Sequence, residues 1–562
     1  MISRHGMISF KELLQKVSGF FHANQDAISK QSAQLSTALQ ILASPKPIGN
    51  ELLDATPLAR AQQELAEQFD AINGGFGNAP KFPHSMYIER LLRYWLQTKA
   101  QLPEDIAAFN IADTCLTKMA RGGIYDQIGG GFFRYSTDAQ WRIPHFEKML
   151  YDNALLLSCY AEAQLVTPKP LFERILKETG TWVLREMTDP NGGFYSTIDA
   201  DSEHEEGKFY YWDREQFKAL LNAEEFAVAS VYYGLDQHPN FEGHWHLYNA
   251  ETIKTIEKNS KIDATIARQY LDSARKKLFA ARAQRVHPGQ DKKILTSWNG
   301  LMIKGLTMAG FALDRDDFII AAQKSVDFIR NNLWVKHRLM ASYQGGKAQF
   351  MGYLDDYAFL LDALLTLLQV RWRIEDLHFA VNIADALLKN FYDETHGGFY
   401  FTANDHEALI QRPKPLLDEA TPSGNGIAAF ALGRLGHWLA EPRYLNASEN
   451  TLKTAWPAIT SHPSGYSSLL NALEEYTYPP QIISLIGDQN SLPQWQQACK
   501  KFYAPNRLVF AIIADDQHLP GIMKKLSPKK GETVAYVCSG TQCSEVINSL
   551  DKLQEFLQKT GV

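Results

Sequence analysis

The chain is 562 residues long, 45% hydrophobic and 21% charged, the composition of a soluble globular protein with room for more than one domain. Its net charge is −6 and it carries no long basic run, which argues against nucleic acid or an anionic membrane surface as the main partner. The start, MISRHGMISFKELLQK, has no continuous apolar stretch of the signal-peptide kind. The longest apolar segment, Tyr357 to Val370, is too short to span a membrane and contains Asp362. A soluble, cytoplasmic protein is expected. The five cysteines (Cys115, Cys159, Cys499, Cys538, Cys543) spell no C-x-x-C pair and read as reduced, buried thiols.

Residues 1–48 read as a helical lead-in without a core of its own. From 49 to 476, helix follows helix with apolar residues at three- and four-residue spacing, as in 86–96, 154–164, 301–313, 357–370 and 427–439. Between them recur Gly-Gly-Phe turns at Gly74, Gly130, Gly192 and Gly397, the first three separated by 56 and 62 residues. Such a period means stacked helical hairpins that share a core. Six hairpins close into an (α/α)6 toroid with a funnel at one end; an open solenoid is the alternative.

Five polar or aromatic lead-ins precede apolar helices: 80–84, 144–148, 296–300, 353–357 and 421–425. A cap needs only one Ser, Thr, Asp or Asn, and these runs carry more. If they open the inner helices, their N-termini and free N–H groups gather at the toroid mouth. Residues 477–562 change character: 482–486, 508–514 and 533–538 read as buried strands of a small C-terminal α/β domain without a glycine-rich phosphate loop.

Chemistry concentrates in residues 122–152, where glycines and aromatics mix with Asp126, Arg134, Asp138, His145, Glu147, Lys148 and Asp152. Pro144 reads as a first-turn proline, which places His145 at a helix start where the dipole favours the neutral imidazole, a usable base. A hydrogen-bonded structural histidine is the alternative, and Glu147 reads equally well as a capping carboxylate. In the run 197–203, TIDADSE, extended backbone points Asp199, Asp201 and Glu203 the same way. Crowded carboxylates raise one another's pKa and supply an acid with its base; a solvated acidic loop is the bland reading. Asp355 and Asp356 form a third cluster that could equally be helix caps, and Trp298 is either a core anchor or a stacking platform. His244 and His246 lack a third ligand, so no metal site is expected. No serine elbow, zinc-protease or Cys–His signature calls for another chemistry or a cofactor.

The runs GGFGNAPKFP (74–83), GGIYDQIGGGFFRYSTDAQWRIPHFEKMLYDNA (122–154), GGFYSTIDADSE (192–203), LTSWNGLMIKGL (295–306), YLDDYAFLLDALL (353–365) and DEATPSGNG (418–426) resemble one family. It is the YyaL-type, thioredoxin-domain-containing family that includes spermatogenesis-associated protein 20. The resemblance covers nearly the whole chain. It implies a toroid similar to N-acylglucosamine 2-epimerase and the six-hairpin glycosidases, and a sugar-like ligand. Nothing here matches the family's N-terminal thioredoxin-like domain, so the resemblance implies a chain starting after it and a separate thioredoxin-like partner.

The expectation is a mainly α, carbohydrate-active enzyme, a glycoside hydrolase or sugar epimerase/isomerase, working by general acid/base chemistry. His145, Asp199 and Asp201 are the expected catalytic residues. His84, Arg134, Tyr135, Glu147, Trp298, Asp355 and Asp356 are expected to hold the substrate, with His84 facing His145 if the reaction is epimerisation. The competing expectation is a non-catalytic binding or accessory protein of a thioredoxin-linked system, whose mouth carboxylates are all paired with Arg or Lys.

Overall fold

The computed structural model describes residues 8–43, 52–99, 105–407, 409–514, 519–521 and 532–559. Twelve helices build the main body: α1 (Thr56–Gln68), α2 (Ser85–Thr98), α3 (Ala107–Arg121), α4 (Leu150–Val166), α5 (Pro170–Glu186), α6 (Thr296–Leu313), α7 (Asp316–Asn332), α8 (Leu354–Val370), α9 (Ile374–Phe391), α10 (Gly424–Leu439), α11 (Pro442–Ser461) and α12 (Ser467–Thr477). The even-numbered helices pack each against the next, and α12 returns to α2, so the inner ring closes. The odd-numbered helices form an outer ring against them. The fold is an (α/α)6 toroid, as the repeat of turns and helices implied, and not an open solenoid.

Sequence decides which helix goes inside. In α8 (LDDYAFLLDALLTLLQV) nearly every position from Leu354 to Leu368 is buried, the mark of a helix surrounded on all sides. The outer α5 and α11 instead bury one stripe and open with a proline in the first turn. Midway along the ring, all six inner helices contribute charged side chains to the interior: Arg90 and Arg93 from α2, Glu162 from α4, Lys304 from α6, Asp362 from α8, Arg434 from α10, and Glu474 and Glu475 from α12. These pair across the ring, for example Lys304 with Asp362 at 2.9 Å and Arg93 with Glu475 at 2.7 Å.

Between α5 and α6 an inserted module of four helices (Arg214–Ala219, Ala223–Tyr232, Ile253–Ser260, Ala264–Arg282) has its own core, including Trp212, Phe217, Leu271 and Leu278. A C-terminal sheet, with strand Gln481–Gly487 parallel to Arg507–Ile513 and antiparallel to Val534–Ser539, lies at the C-terminal ends of the inner helices. There Trp438 stacks on Phe510 with ring centroids 3.5 Å apart.

Two expectations are corrected. Cys538 and Cys543 form a disulfide, because an antiparallel hairpin brings them into register; Cys115, Cys159 and Cys499 are free and buried. Helix α4 begins at Leu150 rather than Pro144. Pro144–His145 is extended and pairs with Tyr135–Ser136, so His145 lies ahead of the helix and outside the reach of its dipole.

The Gly-Gly-Phe turns share a clamp. In each, an aspartate opens the turn and its backbone N–H donates to a turn glycine carbonyl: Asp70 to Gly75, Asp126 to Gly131, Asp189 to Gly193 and Asp393 to Gly398. In three, a lysine donates both to that aspartate and to a glycine carbonyl: Lys81 (2.7 and 2.9 Å), Lys148 (2.9 and 2.8 Å) and Lys414 (2.7 and 2.7 Å). In three, an asparagine from the first turn of an inner helix accepts from the phenylalanine N–H and donates back to its carbonyl: Asn153 with Phe132, Asn299 with Phe194, Asn425 with Phe399. Gly131 has no room for a side chain, since a Cβ there would lie 2.7 Å from the Trp182 ring, and its φ of +83° suits glycine.

Asn299→Ala strips the partners from the Phe194 N–H and C=O and from the Leu295 C=O. Each buried group left unsatisfied costs about 1–3 kcal/mol, so a loss of about 3 kcal/mol is expected from the urea unfolding midpoint at unchanged slope. An unaltered midpoint would show that the clamp contributes nothing.

Candidate functional site

The five lead-ins open inner helices, and the N-terminal ends of those helices ring one end of the toroid. At α2, His84 adopts a left-handed backbone (φ +49°) and its ring stacks on Tyr87 at 4.8 Å. Burial holds its pKa below the ordinary histidine value. Phe82 touches both His84 and Tyr135, and Tyr135 in turn stacks on His145 at 5.1 Å. His84 and His145 therefore sit at opposite ends of a run of rings, with no direct contact between them.

His145 is held on two sides. Nδ1 lies 2.7 Å from the Glu206 carboxylate, while Nε2 lies 3.6 Å from Glu147. With Nδ1–H donated to Glu206, Nε2 is left as the free acceptor. Neither Asp199 nor Asp201 hydrogen-bonds this ring; the carboxylate that does, Glu206, went unrecognised in the sequence because it is 61 residues away. Asp199 and Asp201 are both exposed. Partial burial, and then the nearby charges of Glu147, Asp291 and Asp201, raise the pKa of Asp199. Asp201 pairs through its backbone with Glu206.

Arg134 donates to Glu147 at 3.0 Å, and its charge also acts on Tyr151 and Asp152 in the first turn of α4. Asp152 was noted in the sequence but not advanced as a site residue. Its Oδ2 is buried without a hydrogen-bond partner, and burial first, then Glu147, pushes its pKa well up against the pull of Arg134. Tyr151 meets Trp298, at the start of α6, edge to face with centroids 4.8 Å apart. Trp298 is half-buried, so part of its ring stays accessible at the mouth.

The adjacent aspartates at α8 differ. Asp356 is buried and accepts from the Ser297 N–H of α6 and the Tyr353 N–H of its own helix, both at 2.8 Å; it ties two helix starts together. Asp418 does the same for α10 and α12, accepting from the N–H groups of Ser423 (2.8 Å) and Ser468 (2.9 Å). Burial raises Asp418 to about 6 and Asp356 to about 7. Asp355 has no such duty. Its Oδ1 is buried without a partner, beside the open α-carbon of Gly424, where a Cβ would come within 2.2 Å, and burial alone lifts its pKa to about 7. The site thus joins His145, Arg134, Tyr135, Glu147 and Trp298 through named contacts, with Asp199 near enough to feel the charge of Glu147. Asp355 and Asp356 form the neighbouring wall, and His84 lies at the far end of the ring run.

The molecule is a closed α/α toroid with an aromatic and acidic mouth. No protein-family model matches the chain. It is 29% identical to human spermatogenesis-associated protein 20 over 597 residues, covering 98% of this chain and 75% of that protein. It is 27% identical to an uncharacterised protein of Caenorhabditis elegans, covering 99% and 80%. The chain is similar to spermatogenesis-associated protein 20 along nearly its whole length, as its motifs suggested. Among solved structures it is similar to D-mannose isomerase (TM-score 0.49, 11% identity, 77% of this chain and 98% of that one). It is also similar to cellobiose 2-epimerase from Bacillus thermoamylovorans (TM-score 0.46, 9% identity, 75% and 99%).

Asp355 gives a pH signature. Its carboxyl titrates near 7 when folded and near 3.8 when not, so between those values the folded state keeps a proton that the unfolded chain has released. That contribution is full below about pH 4 and is lost as the pH rises through 7. Thermal unfolding of wild type and Asp355→Asn across pH 4–8 should show the variant gaining relative stability toward pH 8. Parallel curves would place Asp355 in water.

Proposed function

We propose that the mouth binds a carbohydrate and catalyses proton transfer on it, as a glycoside hydrolase or a sugar epimerase/isomerase. The observation that carries this reading is Asp355: a carboxyl oxygen withdrawn from water, given no partner, with its pKa lifted to about 7. A group poised there is half-protonated at neutral pH and can both give and take a proton. Asp152, likewise unpartnered, supplies a second carboxyl. Two such groups are what the accessory-protein reading does not allow.

In this reading Trp298, braced edge to face by the buried Tyr151, forms the face on which a sugar ring stacks, and Arg134 and Tyr135 orient its hydroxyls. His145, fixed by Glu206, acts through Nε2 as a further base, and Asp199 with Asp201 assists from the rim. Asp356 keeps the wall in place through its two backbone donors. His84 is linked to His145 only through the rings of Phe82 and Tyr135, so the two unpartnered carboxyls are the better-supported acid–base set.

A panel of mono- and disaccharides and aryl glycosides, followed by aglycone release and by NMR of the sugar stereocentres, separates hydrolysis from epimerisation. A responding sugar should lose about 10²- to 10⁴-fold in turnover with Asp355→Asn, and Trp298→Ala should chiefly raise KM. Wild-type protein that neither binds nor converts any sugar, or an Asp355→Asn variant with full turnover, would overturn the proposal.

A further inference from the structure

On the outside of the toroid a cavity of about 400 Å³ opens between outer helices α3 and α5 and the inserted module. That volume lies within the usual range for small-ligand pockets. Four arginines line it against two carboxylates, Glu251 and Asp272, in a protein whose net charge is −6. The positive character is therefore local.

The four arginines are not equally engaged. Arg275 is fully used: its Nε donates to the Ile128 carbonyl at 3.1 Å and its guanidinium pairs with Glu178. Arg174 reaches the same Glu178 at 3.3 Å through Nη1, but its Nη2 is buried with no partner. Arg121 and Arg268 stand exposed at the rim and form no ion pair among the described residues, although the charge of Arg268 acts on the nearby Asp263. The same cavity is lined by Asn249, whose buried Oδ1 also lacks a partner. Asn249 is not loose, since its N–H donates to the Arg121 carbonyl at 2.7 Å and fixes the loop to the end of α3. Tyr232 adds a half-buried aromatic wall.

A buried donor and a buried acceptor left unmatched are each costly, and a single ligand with an anionic oxygen and a hydroxyl satisfies both. We propose that this cavity is a second ligand site, for a small hydroxylated oxyanion such as a sugar phosphate or sugar acid. The anionic oxygens pair with Arg174, Arg121 and Arg268; a hydroxyl donates to Asn249 Oδ1; and the carbon skeleton lies against Tyr232. The site does not depend on the mouth being catalytic.

Calorimetric titration of the full chain with glucose 6-phosphate, glucuronate, inorganic phosphate and glucose tests this. Glucose 6-phosphate or glucuronate should bind, whichever headgroup the cavity accepts, and glucose should bind there far more weakly. Arg174→Gln should weaken that binding at least tenfold. Arg268→Ala, a rim change that leaves the packing alone, should weaken it several-fold and reduce its salt dependence. Asn249→Ala should weaken glucose 6-phosphate or glucuronate but not inorganic phosphate. The mouth variant Asp355→Asn should leave the binding unchanged, so failure here and failure of the mouth reading are separable. Absence of oxyanion binding up to millimolar concentration, unchanged affinity in both arginine variants, or loss of binding with Asp355→Asn would overturn the proposal.

Discussion

Four outer helices end at the mouth in a Gly-Gly-Phe turn that begins within a few residues of the helix end and buries backbone N–H and C=O groups where water does not reach. The Gly-Gly-Phe turns meet this constraint with buried side chains. The turn at Asp70 uses Lys81, the turn at Asp189 uses Asn299, and the turns at Asp126 and Asp393 use both a lysine and an asparagine. Lys81 and Lys148 are almost wholly buried, a costly position that only an immediate counter-charge makes tolerable. At Asp126 the guanidinium of Arg282 joins at 2.8 Å, so the same aspartate anchors the inserted module to the ring. Losing one of these clamps would release the turn and, with it, the helix start that carries the mouth residues.

The same economy separates structural from free carboxylates at the mouth. Helix N-termini offer N–H donors without internal partners, and a carboxylate placed between two of them is both capped and held. Asp356 and Asp418 fill that role for four of the six inner helices. Asp355 and Asp152 receive no such donor, and their buried oxygens keep the raised proton affinity that solvation would remove. Chemical availability here is a consequence of how completely the neighbouring groups are satisfied.

This explains what could be read in the sequence. Helical periodicity, turn spacing and the polar lead-ins are local, and they gave the toroid, its inner helices and the strands near 482, 508 and 534. The clamps are not local: Lys81 lies 11 residues from Asp70, and Asn299 lies 105 residues from Phe194. Glu206, Arg282 and the rim cavity depend in the same way on distant segments meeting. The error at Pro144 has a similar cause. A proline followed by charged residues is a good helix start, but pairing with Tyr135–Ser136 overrides it and draws His145 into extended backbone. The adjacent aspartates 355 and 356 looked equivalent because their difference is set by Ser297 and Gly424, on two other helices.

The far end of the ring completes the argument for a mouth at the N-terminal end. Buried ion pairs add little net stability over apolar packing, yet breaking one is costly, so the pairs contributed by five of the six inner helices help to fix their mutual register. Glu474 joins Arg90 and Arg93, and Glu475 joins Arg93 and Arg434. Arg434 then donates to the Pro505 carbonyl, and Tyr503 to Glu162 at 3.3 Å, which ties the C-terminal sheet into the network. Burial and the negative charge of Glu89 hold the Glu162 carboxyl near 7, so part of this plug is uncharged at neutral pH. The interior below the mouth is therefore filled with paired side chains and backed by the sheet. A ligand of the proposed mouth site would approach Asp355, Asp152 and Trp298 from the helix N-termini, where the dipoles and the remaining N–H groups favour oxygen-rich, partly negative chemistry.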